Sequence, residues 1–160
     1  MAPASWRVIL SESGFALRCH GMRVNILLIE DAEPDVFLVR EALKGAGLDF
    51  ELKVLDDGEK AVDFIDTLDR DRAQNCPQLV LLDLNLPKRT GDQILEHMRH
   101  SDRCKDVPVV IVTSSDSPRD KAEASRLGAT QYFRKPSRLD EFMRLGPLVR
   151  QLVEANFGKS

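Results

Sequence analysis

The chain has 160 residues, of which 42% are hydrophobic and 31% charged, with a formal net charge of −3 and a pI near 5.6. That length supports one domain with a substantial core rather than two, and an acidic balance with no clustered basic excess argues against a nucleic-acid surface. No apolar run approaches the ~20 residues a membrane span requires, and the opening stretch MAPASWRVILSESGFALRCHG lacks the long apolar segment of a secretory signal.

Three cysteines, Cys19, Cys76 and Cys104, are odd in number and sit at no metal-ligand or redox spacing. They read as small hydrophobes in a reducing, cytoplasmic compartment with no disulfide framework. Residues 1–21 do not join the pattern that follows. They are expected to be an N-terminal extension, poorly ordered in part, in which Trp6 to Leu10 could add an edge strand. The domain is expected over residues 22–157, opening at Met22.

From there strands and helices alternate. Asn25 to Ile29 is a short continuous apolar run, the pattern of a strand buried on both faces. Pro34 suits a first helical turn; Val36, Val39, Leu43 and Ala46 then recur at helical spacing up to Gly47. Phe50 to Leu55 reads as a second strand, ending at the Asp56-Asp57-Gly58 turn, and Ala61, Val62, Phe64, Ile65 and Leu68 mark the next helix. Leu79 to Leu82 is a third strand, Gly91 to Arg99 a helix, and Val109 to Val112 a fourth strand. Ser117-Pro118 begins a helix that stops at Gly128. Gln131 to Arg134 is a fifth strand, and Ser137 is expected to cap a last helix with Leu139, Phe142 and Met143 inward. Five strand-then-helix units imply a doubly wound α/β domain with a five-stranded parallel sheet.

In such sheets ligands bind at the carboxyl ends of the strands. Strand one ends in Glu30-Asp31, strand three in Asp83, strand four in Thr113-Ser114 and strand five in Lys135-Pro136. Asp83 alone would be read as a turn residue; its register with Asp31, Thr113 and Lys135 makes it a site residue. Carboxylates this close cannot all be ionised cheaply. A hard divalent cation relieves them, and an incomplete shell of protein oxygens suits Mg²⁺, which accepts phosphate oxygens. Adding the Lys135 charge, the Thr113 hydroxyl and a backbone N–H of the following loop gives a phosphoryl-transfer site in which a carboxylate can be the nucleophile.

The stretches LLIED, LVLLDLNLP, VPVVIVTSS and YFRKP, in this order, resemble the receiver domain of two-component response regulators over about residues 22–145. The resemblance implies a flavodoxin-like (βα)5 fold with strand order 2-1-3-4-5. It implies that Asp83 accepts a phosphoryl group from a sensor histidine kinase and that the protein signals by conformational change, catalysing only its own phosphorylation and dephosphorylation. Asp31, Asp83 and the Asn85 main-chain carbonyl would bind Mg²⁺, with Glu30 acting through water. Lys135 and the loop at Ser114 would contact the phosphoryl group. Thr113 would move toward it and Tyr132 would turn inward behind it, while Asn85 and Ser115 would tune the acyl-phosphate lifetime. Pro136 stands where the family often has a cis bond. LPKRTG and KPSRLDEF further resemble the single-domain receivers that partner bacterial phytochromes, which implies such a kinase as partner and output through another protein.

Two other readings differ in class. A haloacid dehalogenase-type phosphatase also uses an aspartate at a strand end, but wants a second aspartate two residues on, where this chain has Asn85. A phosphorylation-independent adaptor would have no need of the acidic, lysine and hydroxyl positions. His97 and His100, three apart, read as a solvated helix face with Glu96 and Arg99 rather than as metal ligands, and Arg70 to Arg72 as an exposed helix end. In RLGPLVRQLVEANF, Gly146-Pro147 predicts a kink or break. The apolar stripe Leu148, Val149, Leu152 and Val153 beyond it predicts a homodimer through the C-terminal helix.

Overall fold

The structure, a computed structural model, describes residues 23–157. Five strands, β1 (Val24–Ile29), β2 (Phe50–Leu55), β3 (Leu79–Leu82), β4 (Val109–Thr113) and β5 (Gln131–Arg134), pair in parallel in the order β2-β1-β3-β4-β5. The helices are α1 (Glu33–Gly45), α2 (Gly58–Arg70), α3 (Gly91–Arg99), α4 (Pro118–Arg126), α5 (Leu139–Phe142) and α6 (Leu145–Phe157). The expected doubly wound sheet and its strand order are both present. The N-terminal extension and its suggested edge strand lie outside the described residues.

β3, β1 from Ile26 on and β4 up to Val112 are apolar because both faces of these strands are covered. Leu27, Ile29, Val80, Leu82, Val109 and Ile111 point to one core, against α2, α3 and Ala124 of α4. Their neighbours Ile26, Leu28, Leu79, Leu81, Val110 and Val112 point to the other, against α1, Phe142 and α6. Each such side chain contributes about 1.5–3 kcal/mol of transfer free energy, and a register slip would lose the whole set. The starts of α2, α3 and α4 are capped by local side chains. Asp57 accepts from the Lys60 amide at 2.8 Å, Ser117 from the Asp120 amide at 3.3 Å, and Thr90 forms a capping box with Gln93.

The C-terminal region departs from expectation in three ways. The helix breaks at Met143-Arg144, ahead of Gly146-Pro147, and Pro147 falls in the first turn of α6, where a missing N–H costs no helical bond. Arg138 rather than Ser137 occupies the cap of α5, and Leu139 points outward, 61% exposed. Third, Val149 and Val153 are buried in the chain's own core, with Leu148 and Leu152 packed beside them. The stripe that suggested a dimer is thus largely covered by α1. Gly146 makes this seat possible, because a Cβ there would lie 2.1 Å from the Ala42 carbonyl oxygen.

Cys76 and Cys104 form a disulfide with Cα atoms 5.7 Å apart, which corrects the expectation of none. Cys76 precedes β3 and Cys104 precedes β4, so parallel pairing of these strands brings together two loops that are 28 residues apart. The bridge lies at the amino-terminal end of the strands, opposite the acidic edge. Of the expected solvated face, His100 and Glu96 are exposed, with His100 Nδ1 2.8 Å from the Glu96 carbonyl, but His97 is half-buried with Nε2 2.7 Å from Asp66 Oδ1 on α2, and half-buried Arg99 donates to the Val107 and Gly128 carbonyls. Among the described residues no helix is long and apolar enough to cross a membrane.

Candidate functional site

β1, β3, β4 and β5 end on one edge of the sheet, and each delivers polar groups there. Glu30 and Asp83 are buried, at 2% and 6% exposure, whereas Asp31 is exposed. Oxygens of Glu30, Asp31 and Asp83 all lie within 4.8 Å of one another. Asp83 Oδ1 accepts from the Asn85 amide at 3.2 Å, which turns the chain sharply after the strand. Gly91 lets α3 start against this turn: its amide donates to the Leu84 carbonyl at 3.0 Å, and a Cβ there would lie 2.3 Å from the Asp83 carbonyl oxygen. In the same connection Lys88 holds a left-handed φ of 70°, with its ammonium 3.5 Å from the Asp57 carboxylate that caps α2.

Lys135 reaches this cluster from the end of β5, its amide donating to the Thr113 carbonyl at 2.7 Å. Its ammonium donates to Glu30 Oε1 at 2.6 Å, Asp35 Oδ2 at 2.7 Å and Asp83 Oδ2 at 3.3 Å. Asp35 is a residue that sequence reasoning missed. The available signal was its spacing: it stands one helical turn after Asp31, in the acidic first turn of α1, which places it beside the end of β1. The Lys135–Pro136 bond is trans, since no peptide bond among the described residues is cis. Trans is the favoured X–Pro isomer by about 0.5–1 kcal/mol.

Charge crowding shows in the titration of the cluster. Burial raises Glu30 to about 7, with a further push from Asp83 that Lys135 partly offsets. Desolvation works against the Lys135 ammonium, but its bonds to Asp35 and Glu30 and the charge of Asp83 prevail, so it holds its proton above the ordinary lysine range. Several carboxylates therefore share one ammonium. The donor set of hard oxygens, two of them buried, fits a divalent cation such as Mg²⁺ or Mn²⁺.

Thr113 is fully buried, its hydroxyl accepting from the Ser115 amide at 3.4 Å, and Ser114 is exposed in the loop that follows. The Ser115 hydroxyl donates to Asp120 Oδ2 at 2.5 Å, and its carbonyl accepts from the Tyr132 hydroxyl at 2.9 Å. Tyr132 thus lies inward, half-buried against the core. Burial raises its hydroxyl above the usual tyrosine range. The predicted site residues are brought together as one constellation: Glu30, Asp31, Asp83 and Lys135 at its centre, and Thr113, Ser115 and Tyr132 in series beside it.

Residues 26–145 match the response regulator receiver domain, and the chain belongs to that family. It is 35% identical over 120 residues to the response regulator Rcp1 of Synechocystis sp., covering 75% of this chain and 82% of that protein. The phosphorylated cyanobacterial phytochrome response regulator RcpA superposes with a TM-score of 0.71 at 28% identity, covering 83% of this chain and 93% of its own. A Mn²⁺-bound form of Rcp1 superposes with a TM-score of 0.70 at 32% identity, over 86% and 96% of the two chains.

Proposed function

We propose that this protein is a single-domain response regulator whose Asp83 takes a phosphoryl group from the phosphohistidine of a sensor kinase. The observation that carries this is the convergence of Glu30, Asp31, Asp83 and Lys135 on one sheet edge. An Asp83 oxygen attacks phosphorus, the O–P bond forms, and the P–N bond to the kinase imidazole breaks, leaving the electron pair on that nitrogen. Asp31, Asp83 and the Asn85 carbonyl would hold Mg²⁺, with Glu30 reaching it through water; the ion would supply charge neutralisation for the phosphoryl oxygens. Lys135 neutralises a phosphoryl oxygen from the other side, and the loop at Ser114 offers backbone donors. Thr113 follows the phosphoryl group. Ser115 links it to Tyr132, the output side chain, while Asn85 and Ser115 set how readily water reaches the acyl phosphate.

The likeness to the phytochrome response regulator RcpA supports a bacterial phytochrome as the kinase, and with it a cytoplasmic location. A homodimer through the C-terminal helix region would have to use half-buried Leu148 and Leu152, since Val149 and Val153 of the same stripe are buried in the chain's own core; a monomer by light scattering at micromolar concentration, with and without phosphorylation, would remove it. The phosphoacceptor reading is tested by intact mass after incubation with Mg²⁺ and acetyl phosphate. A single phosphoryl adduct is expected, lost with EDTA and absent in Asp83→Asn. No adduct here, and none from any phosphorylated histidine kinase, would leave only an adaptor with this fold.

A further inference from the structure

Lys135 has three N–H donors and three carboxylate partners, and these partners are of two kinds. Glu30 and Asp83 also belong to the group of oxygens fit to hold a cation; Asp35 does not. The longest of the three contacts, 3.3 Å, goes to Asp83, the residue beside which Lys135 has its proposed chemistry. The shorter contacts, at 2.6 and 2.7 Å, hold the ammonium back toward Glu30 and α1. A cation shared by Glu30 and Asp83 would weaken their hold on the lysine and add repulsion of its own. Asp35 is the remaining anion. Its carboxylate sits in the first turn of α1, where negative charge is favoured.

We propose that Asp35 is a positioning residue for Lys135. It is the partner that keeps the ammonium seated when Glu30 and Asp83 are engaged by a divalent cation, and the partner that the ammonium must leave to reach a phosphoryl oxygen on Asp83. The second half rests on the phosphoacceptor reading; the first does not. Asp35 therefore acts as a retaining latch that also competes with the phosphoryl group. Because Asp35 stands on α1 and Lys135 on the β5–α5 connection, transfer of the lysine also cuts the ionic tie between those two elements.

The test is a short pulse of reductive dimethylation read by peptide mass spectrometry, with exposed Lys60 and Lys121 as internal references. Wild type, Asp35→Asn and Asp35→Glu are compared with and without Mg²⁺. Lys135 of the wild type should stay protected under both conditions. In Asp35→Asn with Mg²⁺ its labelling should rise about fivefold, the scale of losing a partly exposed ion pair; without Mg²⁺ Glu30 and Asp83 should keep most of the protection. Asp35→Glu should restore it. Asp35→Ser, equally neutral and suited to a first helical turn, must reproduce the Asn result. With acetyl phosphate at saturating Mg²⁺, Asp35→Asn should take up the phosphoryl group several-fold faster than wild type. Unchanged Lys135 labelling in both neutral variants, or slower uptake, would overturn the proposal. If the wild type takes up no phosphoryl group, the phosphoacceptor reading falls, and the labelling comparison still decides the Asp35–Lys135 pairing.

Discussion

The seat of α6 on α1 makes a prediction whose sign is opposite for two identical substitutions. In Gly146→Ala the new Cβ would lie 2.1 Å from the Ala42 carbonyl oxygen and 3.0 Å from both the Ala42 carbonyl carbon and the Ala46 Cβ. None of these atoms is the end of a flexible side chain, so α6 has to retreat by about 1 Å. That retreat loosens Leu145, Val149 and Val153 from Val39 and Leu43. Overpacking of this kind costs about 1–3 kcal/mol. Removing a helical glycine returns up to ~1 kcal/mol, and less in a first turn. The net is a loss of about 1–2 kcal/mol, which for a chain of this size lowers Tm by about 3–6 °C. Gly45→Ala, at the end of the facing helix, meets nothing within 4 Å. It should be neutral or stabilising by a few tenths of a kcal/mol up to ~1. The assay is thermal unfolding followed by far-ultraviolet circular dichroism in EDTA. An unchanged or raised Tm for Gly146→Ala would mean that α6 does not pack on α1 as described, and the apolar stripe would then be free for a partner.

The remaining predictions concern charge and covalent ties. Lys135→Met leaves Glu30, Asp35 and Asp83 without their shared, 11%-exposed cation and should cost about 3 kcal/mol or more in metal-free protein, with part recovered on adding Mg²⁺; a Tm within ~2 °C of wild type, the scale of about 0.5–1 kcal/mol, would refute it. Glu30 is raised from 4.5 to about 7, so the folded protein binds more protons than the unfolded chain between those values. Its contribution is fully present below pH 4.5 and lost as pH rises through 7, by roughly 3 kcal/mol. Urea midpoints in EDTA should fall from pH 5 to pH 8 in wild type and much less in Glu30→Gln, and parallel slopes would contradict this. Alkylation should leave Cys76 and Cys104 unmodified until reductant is added. Reduction should lower Tm, since closing a 28-residue separation stabilises by up to about 3–4 kcal/mol in the chain-entropy account; alkylation of both without reductant would contradict the bridge.

Where the sequence could be read, one physical rule governed. Strands buried on both faces must be continuously apolar, so Leu79–Leu82 announced its own limits, whereas the edge strand Phe50–Leu55 showed itself by alternation, with Glu51 and Lys53 outward. The helix expected over Gly91 to Arg99 has those limits in the structure, where Thr90 and Gln93 form a capping box at its start. Most of the misses are decided by distant partners. Pro147 signalled a break, but only the docking of Gly146 on Ala42 fixes where α6 begins. Leu139 looks inward by helical spacing, yet α5 is too short to keep that phase. Cys76 and Cys104 carry no spacing signal, because their proximity is created by β3–β4 pairing. Asp35 carries no local signal beyond its place in an acidic first turn, because the group that gives it a role, Lys135, is 100 residues away.

The same distant lysine explains why a dry strand can end in a bare carboxylate. Four acidic groups, Glu30, Asp31, Asp35 and Asp83, crowd one ammonium at the sheet edge. A protein selected for stability alone would replace Glu30 and Asp83 with apolar residues, as buried ion pairs commonly gain by such exchange. This chain keeps them, and the imbalance is what gives the site its affinity for added positive charge. A divalent cation lowers the energy of the folded state by relieving the crowding. On the proposed phosphoacceptor reading, a phosphoryl group on Asp83 would then restore negative charge and compete for Lys135. The site is therefore coupled to the fold through one side chain: whatever changes the partners of Lys135 changes the tie between α1 and the end of β5. Beside it, Thr113, Ser115 and Tyr132 form a second route from the same edge to the face of α4.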